Sequence, residues 1–162
     1  MRLTDFTDYS LRVLIYVAER NDELTTIQEI SDSLSIARGH VGKIVHTLAR
    51  AGYLSTTRGR MGGMRLGRPA NEITIGAVVR TTEPDFCIVE CFSAGDNKCA
   101  ITAACGLRGV LEQALRVYMD VLDRYSLADI SIEQGTLARL IACAPPVRPL
   151  VHCVHELAVI ES

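Results

Sequence analysis

Apolar residues recur every third or fourth position over much of the chain, a period that places them on one face of a helix. Over 5–19, Phe6, Leu14, Val17 and Ala18 share such a face with Val13 at its edge, which predicts a first helix that packs rather than reads. Thr26 and Glu29 have capping-box spacing: the hydroxyl takes a free helix amide and the glutamate reaches back, so a short second helix starts there and ends near Leu34. A third helix is predicted over 37–51. Val41, Ile44, Val45 and Leu48 form its apolar stripe, and His40, Lys43, Thr47 and Arg50 occupy the other side. Further on, one helix is predicted over 73–82 and a long one from about Thr102, with Leu107, Leu111, Ala114, Leu115, Tyr118, Val121, Leu122 and Tyr125 at threes and fours. A last short helix is predicted over 133–142, ahead of Pro145 and Pro146.

After the third helix the pattern changes. Residues 53–57 and 64–66 read as two short strands around the tip 58–63, which carries Arg58, Arg60 and the glycines 59, 62 and 63. Two helices joined by a short turn, the second with a basic polar face, form a helix-turn-helix, and a basic hairpin directly behind it is a wing. The predicted fold is mainly α, with a winged helix-turn-helix over 1–83 and a cysteine-rich loop over 84–106. A dimerisation helix over 103–126 and a C-terminal helix and tail over 127–162 complete it. Dimerisation is assigned to the long helix because it is apolar enough to need a partner, and because such proteins read paired half-sites.

Charge sharpens this picture. The net charge is only −2, yet from Ser33 to Asn71 there is no Asp or Glu, while Arg38, Lys43, Arg50, Arg58, Arg60, Arg65 and Arg68 are all cationic. A basic block of this kind is the footprint of a polyanion, here double-stranded operator DNA. Arg38, His40 and Lys43 are the expected contacts of the third helix in the major groove. Arg58 and Arg60 are expected to enter the minor groove, with Gly62 and Gly63 allowing close approach to phosphate. Residues 81–162 carry six Lys or Arg against eleven Asp or Glu and are not expected to touch DNA.

Other classes are set aside by what the sequence lacks. No run approaches a membrane span and the N-terminus has no apolar signal core, so a cytoplasmic protein without a membrane partner is expected. There is no nucleophile triad, acid–base pair or phosphate loop, so an enzyme is not expected.

Six cysteines, at 87, 91, 99, 105, 143 and 153, supply the remaining chemistry. In a reducing compartment metal or redox chemistry explains them better than structural disulfides. Cys91, Cys99 and Cys105 lie within fifteen residues of one polar loop, a soft donor set suited to an iron–sulfur cluster, zinc or copper(I), with a fourth ligand still to be supplied. Cys105 is expected in the first turn of the long helix, where the dipole favours thiolate. Cys87, between Phe86 and Ile88, is expected to be buried, and Cys143 and Cys153 to be incidental. A cluster-free thiol switch and a structural zinc site are the alternatives on residue chemistry alone.

Several strings together resemble a known family. Phe6, Thr7, Asp8, Tyr9; Arg50, Ala51, Gly52, Tyr53; the tip 58–63 followed by Arg65 and Leu66; and Cys91, Cys99, Cys105 are similar to the NsrR-type nitric-oxide-sensing repressors of the Rrf winged-helix group, which also holds IscR. The likeness runs from Met1 to about Ile130. It implies a homodimer with an iron–sulfur cluster per subunit, 4Fe-4S rather than 2Fe-2S, which binds operator DNA and releases it when nitric oxide attacks the cluster. It further implies that Asp8 of the other subunit joins the three loop cysteines as a ligand. An IscR-like histidine ligand is not expected, since the residue three past Cys105 is Arg108. The seven-residue gap between Cys91 and Cys99 is longer than is usual in the group.

Overall fold

A computed structural model of the chain describes residues 2–20, 23–59, 62–93, 95 and 97–131. The predicted helix over 133–142, Pro145, Pro146, Cys143, Cys153 and Arg60 lie outside the described residues.

Three helices form the reading head, and each boundary has a local cause. Helix α1 (Asp5–Glu19) begins where the Thr4 hydroxyl accepts the Thr7 amide at 3.2 Å, with Asp5 and Asp8 in the positive first turn. Helix α2 (Ile27–Leu34) starts on the expected capping box: Thr26 Oγ1 accepts from the Glu29 amide at 3.2 Å and Glu29 Oε2 accepts from the Thr26 amide at 2.6 Å. It stops at Ser35, whose φ of 54° turns the chain left-handed toward helix α3 (Arg38–Arg50). The stripe Val41, Ile44, Val45 and Leu48 is buried, and it packs with Val13, Leu14 and Val17 of α1 and Ile30 of α2.

The wing is an antiparallel pair, β1 (Leu54–Thr57) and β2 (Gly63–Leu66), in register from Leu54 opposite Leu66 to Thr57 opposite Gly63. Its base is locked to the end of α3. Arg68 donates to the carbonyls of Ala51 at 2.9 Å and Gly52 at 3.2 Å, and its guanidinium lies 4.9 Å from the Tyr53 ring centre. Gly52 turns the chain there with φ of 76°. Thr25, in the α1–α2 link, bridges Met64 of β2 through both backbone bonds, at 2.9 and 2.8 Å. That third, one-residue strand was not legible in the sequence.

Helix α4 (Ile75–Thr82) is capped by Thr74 and carries the chain to the cysteine loop. Helix α5 (Gly106–Arg124) starts later than the pattern predicts, because Thr102–Ala104 forms a separate 3-10 turn. Cys105 is therefore the cap residue of α5 rather than part of its first turn. One side of α5, with Leu115, Tyr118, Met119 and Leu122, packs on Ile75 and Val79 of α4 as a second small core. A short helix α6 (Leu127–Ile130) then returns to the reading head, where Leu127 is fully buried in the main core. Among the described residues no helix is long and apolar enough to cross a membrane.

Candidate nucleic-acid interface and cysteine loop

Burying the α3 stripe forces the opposite face outward, and Arg38, His40, Lys43 and Arg50 are all exposed there. Arg58 is exposed on the wing beside Gly59, whose φ of 117° needs glycine. Gly62 and Gly63 have steric reasons of their own. A Cβ at 62 would collide with the Thr57 carbonyl oxygen, and one at 63 would stand 2.9 Å from the carbonyl oxygen of Thr25. Arg65 is exposed on β2, whereas Arg68, counted above with the basic block, is spent on the Ala51 and Gly52 carbonyls just past α3. Within the described residues, five cations on or beside α3 and the wing are left free to meet phosphate: Arg38, Lys43, Arg50, Arg58 and Arg65.

His40 has a neighbour that sequence reasoning missed. Its ring centre lies 6.5 Å from that of Tyr9, the planes tilted by 36°. The two line a cavity of about 200 Å³ with Asp5, Phe6, Lys43 and Ile44, in the seam between α1 and α3. Arg12 lies over the same tyrosine, 5.7 Å from its centre, and also pairs with Asp8 at 2.6 Å. The i,i+4 spacing of Asp8 and Arg12 was the available signal. Asp8 is thus held within its own helix.

The cysteine loop is stitched by its own hydrogen bonds. Glu90 Oε1 accepts from the Lys98 amide at 2.7 Å, fastening the neighbour of Cys91 to the neighbour of Cys99. Asn97 Oδ1 accepts from the Cys99 amide at 3.0 Å, and the Thr102 hydroxyl donates to the Cys99 carbonyl at 2.7 Å. Thr102 in turn accepts the Cys105 amide at 3.5 Å. Cys91, Cys99 and Cys105 are free thiols, each half-buried. Their chemistry fits a thiophilic centre, since three soft donors share one closed loop. They are not already gathered: among the described residues no three His, Cys, Asp or Glu side chains stand close enough together to hold a metal ion.

Cys87 corrects an expectation, for it is exposed rather than buried. Phe86 turns toward the α4–α5 core and leaves its neighbour at the rim of a cavity of about 670 Å³ with Phe92, Leu115 and Met119. Desolvation at that rim, with the charge of Asp85, pushes its thiol up. Burial and Glu83 likewise raise Tyr118 on the same side of α5.

Comparison with known proteins places this geometry. Residues 3–133 match the family model described as Rrf2, iron-dependent transcriptional regulator. A Bacillus licheniformis protein named HTH-type transcriptional regulator NsrR is 48% identical over 143 residues, 88% of this chain and all of that one. Its Bacillus subtilis counterpart is 49% identical over 142 residues, 87% of this chain and 97% of that one. A solved structure of a transcriptional regulator from Listeria innocua superposes with a TM-score of 0.66 at 26% identity, covering 80% of this chain and 85% of that one.

Proposed function

The chain belongs to the Rrf2 family of transcriptional regulators and is not an enzyme, and from that premise we propose that it is a homodimeric repressor that leaves its operator on exposure to nitric oxide. Cys91, Cys99 and Cys105 are the protein ligands of an iron–sulfur cluster, 4Fe-4S rather than 2Fe-2S, and Asp8 of the partner subunit is the fourth. The observation that carries this is the pairing of a stitched three-thiol loop with an exposed basic reading face, in a chain nearly half identical to proteins named NsrR. When bound, the cluster would supply iron able to react with nitric oxide.

The chain's own residues divide the work. Arg38, His40 and Lys43 meet base edges and phosphates in the major groove, and Arg58 and Arg60 bring the wing to the minor groove. Along α5, Leu107, Val110, Val117 and Val121 are exposed at steps of three, seven and four, with Tyr125 continuing the row, which is the seam of a helix that pairs with its own copy. Glu83 fastens the start of the cysteine loop to Thr4 at the head of α1. A carboxylate on α1 that reached across the dimer would tie one subunit's reading head to the other's loop. Asp8 is open to that exchange because its two-pronged pair with Arg12 is half-exposed to solvent.

Mixing two defective variants tests the assignment. If Asp8 serves the partner, heterodimers of Asp8→Ala with Cys99→Ser hold one complete site and regain half of the wild-type iron. Mixed dimers that never regain a cluster signal would refute donation across the dimer. Full iron in Cys99→Ser homodimers would refute the ligand set.

A further inference from the structure

Tyr9 lies between the two halves of the proposed mechanism. Its ring neighbours His40, in the first turn of the helix that presents the basic face, and it also carries the Arg12 guanidinium, itself held by Asp8. Each contact is within the range at which such groups attract: ring centres under 7 Å, and a cation within about 6 Å of a ring. We propose that Tyr9 is a positioning residue for the recognition helix, setting the pose of His40 and the neighbouring Lys43, and that Arg12 makes this pose depend on whether the Asp8 carboxylate is free to hold it.

Three features of the seam support the assignment. Tyr9 is half-buried against the main core, so its ring is a fixed platform rather than a solvated side chain. The cavity of about 200 Å³ beside it, lined by Asp5, Phe6, His40, Lys43 and Ile44, leaves room for the His40 and Lys43 side chains to change rotamer without opening the core. The ion pair that anchors Arg12 is exposed, at 52% and 44% for its two side chains, so a stronger partner for Asp8 can take the carboxylate away. Arg12 would then keep the tyrosine face as its remaining contact, and the load on the ring would change. That last step rests on Asp8 being a shared ligand. The contacts among Asp8, Arg12, Tyr9 and His40 lie within one chain and do not.

The test is nuclear magnetic resonance of ring-labelled histidine in the metal-free full chain, with His46 of the same helix as internal control. Tyr9→Leu and Asp8→Asn should each shift the His40 ring signals and leave His46 in place, whereas Tyr9→Phe, which keeps the ring, should match wild type. In gel-shift measurements on DNA selected by the wild-type protein from a random pool, Tyr9→Leu should weaken specific binding by roughly five- to a hundredfold, the range of one misplaced base contact. Non-specific binding should hold. Unmoved His40 signals in Tyr9→Leu would overturn the positioning role. Movement in Tyr9→Leu but not in Asp8→Asn would overturn the link to Asp8, and movement that spreads to His46 would mark general repacking and count against both. Because the histidine spectra are recorded without metal, the His40 and His46 outcomes stand apart from the iron content that decides the ligand assignment, and the gel shifts are run on the anaerobic protein as purified.

Discussion

Glu83 Oε1 accepts two hydrogen bonds from Thr4, one from its backbone amide at 2.8 Å and one from its hydroxyl at 3.1 Å. The residue that ends α4 and opens the cysteine loop is thereby fastened to the residue that caps α1, seventy-nine positions away in the chain. Glu83→Ala removes a charged acceptor from a half-buried site and should cost about 1–2 kcal/mol in urea unfolding. Glu83→Gln keeps an acceptor oxygen and should cost less. Equal stability of wild type and Glu83→Ala would mean that the clasp holds nothing.

The α2 capping box carries a pH dependence. Two bonds from Thr26, amide and hydroxyl, hold the Glu29 carboxyl below its usual range. A depressed carboxyl stabilises the fold above its unfolded value of about 4.3, and that contribution is lost as pH falls through the folded value. Wild-type stability should therefore fall more steeply below about pH 4.3 than that of Glu29→Gln, the two curves converging in acid. Parallel curves would contradict this. Thr26→Ala should cost about 1 kcal/mol at neutral pH.

Much of the reading head was legible because its signals are local. The α1 bounds, the capping box and the α3 stripe follow from residues a few positions apart, and each was found where the pattern put it. What was missed depends on contacts between distant segments. The bridge of Thr25 to Met64 has no sequence signature, and Leu127 enters the main core only because α5 folds back along α4. The burial of Cys87 does not follow from its apolar neighbours, because Phe86 turns inward and leaves Cys87 exposed. The three loop cysteines were legible as a donor set, but the bonds through Glu90, Asn97 and Thr102 that hold their loop closed were not.

The exposed row on α5 predicts a dimer with a defined weak point. Leu107 and Val110 are each 63% exposed and Val117 is 55% exposed, more apolar surface than a monomeric helix usually leaves open. Val117→Glu should move the protein from dimer toward monomer in sedimentation at micromolar concentration. Because Leu115 and Met119 still pack on α4, its helix content should be kept. An unchanged dimer would place the interface elsewhere.

Lys43 is exposed on the reading face with no acidic partner from Ser33 to Asn71 to neutralise it. In a dimer, Lys43→Ala removes two phosphate contacts, so the dependence of log binding constant on log salt should flatten by about 1.8, at about 0.9 per contact. An unchanged slope would remove Lys43 from the phosphate contacts.

The most direct measurement is an anaerobic titration of the purified dimer with nitric oxide, following its visible spectrum, its iron and sulfide counts and its hold on DNA selected by the same protein. The proposed mechanism predicts coloured protein containing iron and sulfide, and loss of specific DNA binding in step with loss of the cluster absorption. Cys87→Ser should behave as wild type and Cys99→Ser should be colourless throughout. Colourless wild-type protein that holds zinc or no metal, and binds the same DNA equally well before and after nitric oxide, would contradict it.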